Sequence, residues 1–116
     1  MGNIQLGLIY DRVRLEEKAI IHAARKRRVK VNSIDAKKIC LDLMNKDKGD
    51  FGDAVIQRCV SYFRGLHIAF VLKEMDIPTL NSYDTSNICG NKLYTTLAFI
   101  KANIPTPKTF LVQKDR

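Results

Sequence analysis

The sequence predicts an α/β fold: a small, open, mainly parallel sheet with helices on both faces, similar to a Rossmann-like domain. Two observations support this prediction. Short apolar runs of strand type alternate with amphipathic helical stretches, and the links between them are short, which favours right-handed parallel crossovers. A length of 116 residues is enough for one domain with one hydrophobic core.

The first half of the chain predicts a strand–helix–strand unit. Residues 4–10 form an apolar run that suits a strand buried on both faces, and residues 15–28 have helical periodicity. Residues 29–34 alternate and predict the second strand, followed by one helical turn over residues 35–38. Residues 40–44 fit either an edge strand or a continuation of that turn into a helix, and we favour the edge strand. The helical residues expected to face the sheet are Leu15, Ala19, Ile20, Ala23 and Ala24.

The second half predicts another unit of the same kind. After a charged loop, residues 54–60 predict a buried strand, and Ser61 is placed to cap a helix that runs to about Met75. Residues 77–80 predict a short fourth strand, with a helical piece after it near Tyr83.

The last third of the chain predicts a short helical piece that Gly90 stops, then a longer helix. Asn91 caps this second helix and Lys92 lies in its first turn. Two prolines end the helix, and residues 109–112 predict a β-strand. A cation in a first turn opposes the helix macrodipole, but Lys92 and the free N–H groups of that turn together suit a phosphate. The alternative is a lysine that points into solvent.

The carboxyl ends of the predicted strands form the expected binding rim, because ligands bind there in open α/β sheets. Residues 10–14, 58–65 and 81–84 are the loops at these ends. Arginine matches a carboxylate through two parallel hydrogen bonds, so this rim suits an anionic substrate. Alternatively, Arg58 anchors a loop carbonyl and Arg64 pairs with an acidic neighbour on its helix. The substrate-binding candidates are Arg12, Arg58, Ser61, Arg64 and Asn81.

The formal net charge of +8 is concentrated in one basic cluster. No aromatic residue lies between Asp11 and Asp50, which argues against a nucleic-acid surface. The cluster also falls at a predicted helix end, where cations interact favourably with the macrodipole. A solvated helix end and a surface for an acidic protein partner both fit. The cluster consists of Arg25, Lys26, Arg27, Arg28 and Lys30.

The cysteines and apolar runs predict a reduced, cytoplasmic protein. Cys40, Cys59 and Cys89 are odd in number and far apart, without the spacing of a zinc site. The acidic residues are scattered, so no metal site is expected. No apolar run has the length of a membrane helix, and the run near the start is too short for a signal peptide.

Four motifs along the chain carry a resemblance. They are Ile9-Tyr10-Asp11-Arg12 with Arg14, Gln57-Arg58-Cys59-Val60-Ser61 with Arg64-Gly65-Leu66, Ile77-Pro78 with Asn81-Ser82, and Gly90-Asn91-Lys92 ahead of Asn103-Ile104-Pro105-Thr106-Pro107. On these residues, nearly the whole chain resembles the RimK-like ATP-grasp ligases of lysine biosynthesis, of LysX type. Many relatives carry an acidic residue at the position of Asn91, whereas Lys92 matches.

The resemblance implies a ligase that uses ATP and magnesium. Such enzymes join an amino acid, α-aminoadipate or glutamate, to the C-terminal glutamate of a small acidic carrier protein through an acyl phosphate. It also implies that Lys92 contacts the nucleotide phosphates and that a homo-oligomer is possible. Residues 1–90 would be the pre-ATP-grasp, substrate-side domain, and residues 91–116 the helix and first strand that lead into an ATP-grasp domain absent from this chain. The chain is therefore expected to be inactive alone, because phosphoryl transfer needs metal and cationic groups that these residues do not supply.

A second class of function is a stand-alone α/β module that binds an acidic protein or an anionic metabolite through the same rim and basic cluster. The reading frame beyond Arg116 separates the two classes. A glycine-rich hairpin and downstream Asp, Glu or Asn ligands are expected there for the ligase.

Overall fold

A computed structural model describes residues 3–45 and 49–114. Its strands are β1 (Gln5–Tyr10), β2 (Lys30–Asp35), β3 (Ala54–Gln57) and β4 (Thr79–Leu80). Its helices are α1 (Leu15–Lys26), α2 (Tyr62–Glu74), α3 (Tyr83–Cys89) and α4 (Lys92–Lys101). These four strands and four helices appear in the predicted order, with strand ends that differ by up to three residues, and the two short helical pieces predicted near Tyr83 and before Gly90 are one helix, α3.

All four strands are parallel and follow the order β2-β1-β3-β4. The crossover through α1 moves outward from β1 to β2, whereas the crossover through α2 moves outward in the other direction, from β3 to β4. Since both crossovers are right-handed in such sheets, α1 and α2 cover opposite faces. The direction changes between β1 and β3, which makes this pair the topological switch point. This arrangement confirms the predicted open α/β sheet with helices on both faces.

The core lies around the two central strands. Leu8 and Ile9 of β1 are fully buried, as is Leu72 of α2, and Val55 of β3 is 1% exposed. Gly7 is required for this packing, since a Cβ atom at this position would overlap the backbone carbonyl of Phe51. The central strands are thus held close to the loop that precedes β3.

The buried face of α1 differs from the predicted one. Ala24 is buried as predicted, but Leu15 is 81% exposed and Ala19 is exposed, whereas Glu17 is only 1% exposed. The apolar periodicity misplaced the first turn because it assigned the glutamate to solvent. Glu17 is instead buried beside its arginine partners, and this decides which side of the first turn of α1 faces the protein interior.

Three predicted elements are not formed: the helical turn over residues 35–38 and the strands over residues 40–44 and 109–112. Residues 35–38 make a turn in which Lys37 N–H donates to Asp35 Oδ1 at 2.9 Å, not a helix. Residues 40–44 form no edge strand, because a local turn and packing of Leu41 against the core replace sheet pairing. Residues 109–112 do not form the predicted strand either, and they take no part in the described sheet.

The chain divides into two compact units, and the described parts of these are residues 3–45 and 49–83 for the first and residues 84–114 for the second. The first contains the sheet with α1 and α2. In the second, Asn91 caps α4 as predicted, and its Oδ1 accepts hydrogen bonds from Leu93 N–H at 3.0 Å and Tyr94 N–H at 3.2 Å. The predicted boundary at residues 90 and 91 stays a prediction. None of the described helices is long and apolar enough to cross a membrane.

Three helices end in the same way, with a residue in the left-handed region just after the C-cap. These residues are Arg28 (φ 57°), Asp76 (φ 55°) and Asn103 (φ 56°). In α2, Asp76 N–H donates to the Lys73 carbonyl and Ile77 N–H donates to the Leu72 carbonyl, which is the Schellman arrangement. Glycine adopts this backbone without the cost that a Cβ atom brings.

We expect Asp76→Gly to stabilise the protein by about 0.5–1 kcal/mol, because relief of the left-handed strain exceeds the added entropy of the unfolded chain. Glu74→Gly, two residues earlier in the helical part of α2, is the control and should destabilise it by about 1 kcal/mol. Urea unfolding measures both free energies. A loss of stability in Asp76→Gly as large as in the control would contradict the assignment.

Candidate ligand-binding site at the switch point

A pocket of about 740 Å³ lies at the carboxyl ends of β1 and β2 and beside the start of α2. It occupies the switch point, where open α/β sheets bind ligands. Tyr10, Val13 and Val60 form part of its wall. The charged and hydroxyl side chains that line it are Asp11, Arg12, Asp35, Lys37, Ser61 and Arg64.

Asp11 joins the end of β1 to the N-terminal end of α2. Its carboxylate accepts hydrogen bonds from Val60 N–H at 2.8 Å, from Ser61 N–H at 3.0 Å and from Arg64 Nη1 at 2.8 Å. Asp11 is 8% exposed, so these three donors replace most of its hydration. A carboxylate is also favoured by the positive end of the helix macrodipole.

The protonation of Asp11 follows from these contacts. Burial of the carboxyl opposes ionisation, but the hydrogen bonds from the Ser61 and Val60 amides and from Arg64 outweigh burial and lower the pKa of Asp11 to about 2. Asp11 is therefore a charged structural anchor at neutral pH. It is not a proton donor for catalysis there.

A second buried carboxylate lies at the start of α1. Glu17 accepts hydrogen bonds from the Arg14 backbone N–H at 3.0 Å and from Arg14 Nη2 at 2.6 Å. Arg58 Nε lies 3.4 Å from Glu17 Oε1, close enough for an ion pair but without hydrogen-bond alignment. The hydrogen bonds from the Arg14 side chain outweigh burial and lower the pKa of Glu17 to about 2. This cluster explains why the helix buries a glutamate.

Three of the predicted site residues line the pocket, and two do not. Arg12, Ser61 and Arg64 contribute to its wall. Arg58 is instead a partner of Glu17, and Asn81 is an exposed residue after β4, at the edge of the sheet. Whether any of these five binds a substrate stays a prediction.

The structural role of Arg64 and that of Ser61 also differ from the sequence-based alternatives. Arg64 pairs with Asp11 from another element, rather than with a neighbour on its own helix. Ser61 occupies the N-cap position of α2, but its side chain makes no capping hydrogen bond. The Asp11 carboxylate takes the Ser61 amide instead, and the Ser61 hydroxyl remains on the pocket wall.

Sequence reasoning missed Asp35 and Lys37. These residues follow β2, whose carboxyl end lies beside that of β1 because Tyr10 and Asp35 are partners in the sheet register. The rule that ligands bind at strand ends applies to this loop as well, but the order of the strands is needed to place it next to Asp11 and Arg12.

Lys92 belongs to the second unit and lies in the first turn of α4, with an exposed side chain. The predicted phosphate seat is smaller than expected, because Asn91 already accepts hydrogen bonds from the amides of Leu93 and Tyr94. The Lys92 ammonium forms no ion pair with any residue that the structure describes. Phosphate contact by Lys92 therefore depends on its ammonium more than on the backbone.

The described residues contain no group of three or more His, Cys, Asp or Glu side chains that could hold a metal ion. Asp11 and Glu17 already accept hydrogen bonds from arginine, and neither has a second carboxylate placed to share a cation. The residues present thus do not fit a magnesium site. Neutralisation of a transferred phosphoryl group would need ligands from elsewhere.

The sheet order and the pocket define the class of this protein: a doubly wound α/β domain with a charged pocket at its switch point. A family model described as the LysX preATP-grasp domain matches residues 6–88. The chain belongs to this family of pre-ATP-grasp domains.

Several curated proteins are similar over most of this chain. The α-aminoadipate–LysW ligase LysX of Saccharolobus solfataricus is 36% identical over 98 residues, which is 84% of this chain and 36% of the relative. The glutamate–LysW ligase ArgX of Sulfurisphaera tokodaii is 36% identical over 104 residues, which is 90% of this chain and 36% of the relative. The chain thus spans little more than a third of the length of these relatives.

A solved structure supports the same fold. The RimK domain ATP-grasp protein of Sphaerobacter thermophilus superposes with a TM-score of 0.73 over 90% of this chain and 39% of that chain. Its sequence is 24% identical, so this likeness concerns the fold alone.

We expect Asp11→Asn to destabilise the protein by about 2 kcal/mol at neutral pH, because the amide NH₂ would face a donor where the carboxylate now accepts. The pH dependence should weaken as well. Since the pKa of Asp11 falls from its ordinary value of 3.8 to about 2 on folding, its stabilisation is complete above pH 3.8 and is lost as pH falls toward 2.

Urea unfolding at pH 7 and at pH 3 measures both effects of Asp11→Asn. Asp42→Asn is a matched control, because Asp42 is exposed and accepts a hydrogen bond from Met44 N–H at 3.0 Å. Equal stability of Asp11→Asn and the control at pH 7 would show that the carboxylate does not anchor α2.

Proposed function

We propose that this chain is the amino-terminal part of an ATP-dependent carboxylate–amine ligase. The complete enzyme would join α-aminoadipate or glutamate to the C-terminal glutamate of a small acidic carrier protein through an acyl phosphate. The observation that carries the proposal is the family match over residues 6–88, which includes the whole switch-point pocket. The names of the similar ligases, which act on LysW, support the reaction and the partner.

The proposal divides the work between two parts of the enzyme. Residues 1–90 hold the substrate-side rim, and residues 91–116 lead into the ATP-grasp domain. ATP supplies the phosphoryl group and magnesium neutralises its charge when both are bound in the complete enzyme. Lys92 adds one ammonium to the phosphates from the start of α4. The chain alone therefore forms no acyl phosphate.

We expect Lys92→Ala to weaken ATP binding about tenfold in the complete enzyme, equal to about 1.4 kcal/mol, because one cation is removed from the phosphates. Lys101→Ala is the control, since Lys101 lies in the last turn of the same helix. Calorimetric titration with ATP measures both, and the control should bind within about twofold of the unchanged enzyme. Equal affinities of the two variants would remove Lys92 from the nucleotide site.

The basic cluster of Arg25, Lys26, Arg27, Arg28 and Lys30 lies away from the pocket. The cluster lies around the carboxyl end of α1 and includes the first residue of β2. It is therefore at the amino-terminal end of the strands, opposite to the carboxyl ends that form the pocket. The six residues of β2 span about 20 Å. An acidic carrier that docks on the cluster would therefore need an extended tail of about six residues or more to reach the rim.

We expect the triple variant Arg25→Glu, Arg27→Glu, Arg28→Glu to slow association of the carrier with the complete enzyme about tenfold at low salt, because electrostatic steering is reversed. The control variant Lys18→Glu, Lys101→Glu, Lys108→Glu makes the same change in net charge elsewhere. Stopped-flow association at several salt concentrations compares them. Equal rates for both variants would mean that overall charge, and not this cluster, attracts the carrier.

The alternative of a stand-alone module is supported by one observation: the pocket is built entirely from residues of the first unit. The test of the ligase is its product. A complete enzyme should convert ATP to ADP continuously only when amino acid and carrier are both present, because the amine of the amino acid must displace phosphate from the acyl phosphate before the next cycle. A reading frame that stops at Arg116, with no partner that carries a glycine-rich hairpin and metal ligands, would favour the module instead.

A further inference from the structure

The pocket is lined by charged side chains that were not among the sequence-based candidates. Asp11 and Arg64 satisfy each other at 2.8 Å, and the Asp11 carboxylate also takes two backbone amides. The charges left for a ligand are two cations, Arg12 and Lys37, and one carboxylate, Asp35. None of the three forms an ion pair with another described residue.

The Asp35 carboxylate has a fixed position. Its residue ends β2 in register with Tyr10, and its Oδ1 accepts the Lys37 amide at 2.9 Å. The backbone carbonyl of Asp35 also accepts the Lys38 amide at 3.0 Å. This turn holds one carboxylate oxygen against the backbone, and the negative charge remains on the pocket wall. A group fixed before the ligand arrives loses little entropy on binding.

We propose that this pocket binds a free α-amino dicarboxylic acid, with Arg12 and Lys37 as contacts of its two carboxylates and Asp35 as the contact of its ammonium. The ligand complements the site in charge: two carboxylates meet two cations, and one ammonium meets one carboxylate. This inference rests on the proposed function and deepens it, since it assigns Asp35 and Lys37 to recognition of the amino-acid substrate.

The carboxylates of the pocket disfavour other anions. A phosphate would bring its negative charges close to the Asp35 carboxylate and would offer that carboxylate no cationic partner. The C-terminal glutamate of a peptide has two carboxylates but no free α-ammonium, so it would leave Asp35 without a partner. The free amino acid satisfies all three groups.

The test is an NMR titration of the ¹⁵N-labelled 116-residue chain. This chain is sufficient because every residue that lines the pocket belongs to its first unit. The probes are L-α-aminoadipate, L-glutamate, N-acetyl-L-glutamate and inorganic phosphate. We expect the two amino acids to shift signals at the pocket, and N-acetyl-L-glutamate and phosphate to bind at least about tenfold more weakly.

Two variants test the assigned contacts. Lys37→Gln should weaken binding of L-α-aminoadipate and L-glutamate about tenfold, as expected when a charge-assisted contact is lost. Asp35→Asn keeps an oxygen for the Lys37 amide but removes the charge, so it should abolish the preference for L-glutamate over N-acetyl-L-glutamate. Lys38→Gln and Asp42→Asn are matched controls, because Lys38 is the neighbouring lysine and Asp42 makes the same type of turn. Thermal unfolding shows whether each variant is folded.

Absence of pocket shifts with either amino acid would overturn the inference, as would tighter binding of phosphate. Unchanged selectivity in a folded Asp35→Asn variant would overturn the assignment of the ammonium contact. Failure of the proposed function and failure of this inference give different results. A complete enzyme that makes no ADP with amino acid and carrier would refute the ligase while the titration stands, whereas active ligase with an unchanged KM in Asp35→Asn would refute this pocket alone.

Discussion

The contact of the Asp11 carboxylate with the start of α2 is the constraint on which the site depends. Asp11 directly follows the central strand β1, while Val60 and Ser61 lead into the helix that follows β3. The backbone amides of Val60 and Ser61 donate to the Asp11 carboxylate at 2.8 and 3.0 Å, and these hydrogen bonds join the two sides of the switch point. Without this bridge, the backbone amides of Val60 and Ser61 would lose their hydrogen-bond acceptor. The charge of the carboxylate and the dipole of α2 favour the same arrangement.

This bridge also decides which charges a ligand meets. Arg64 is 40% exposed and lines the pocket, but its charge is balanced by Asp11 at 2.8 Å. Its contribution to anion binding is therefore weaker than its position alone implies. Arg12 and Lys37 keep their charges for the ligand, and they come from loops after two adjacent strands, β1 and β2. The cations without an ion-pair partner in the described structure thus lie toward the β2 side of the pocket as much as at its centre.

Local periodicity was enough to predict the alternation of strands and helices, and Asn91 was identifiable as a cap because capping depends on nearby residues. Non-local contacts caused the errors. Leu15 is exposed and Glu17 buried because arginines from two segments surround the glutamate. Residues 40–44 have a strand-like pattern, but a local turn at Asp42 and packing of Leu41 against the core replace sheet pairing. Lys37 was missed because its place beside β1 follows from sheet order, which the sequence does not state.

All residues that line the charged pocket lie between Tyr10 and Arg64 in the sequence, whereas Lys92 lies further along, in α4. Under the proposed ligand assignment, substitutions that alter the choice of small molecule would therefore fall in one contiguous gene segment that does not include Lys92. Recombination at the loops that flank this segment would exchange substrate preference as a cassette. Such a layout is a simple physical route by which domains with this fold acquire different ligand preferences while the rest of the chain stays unchanged.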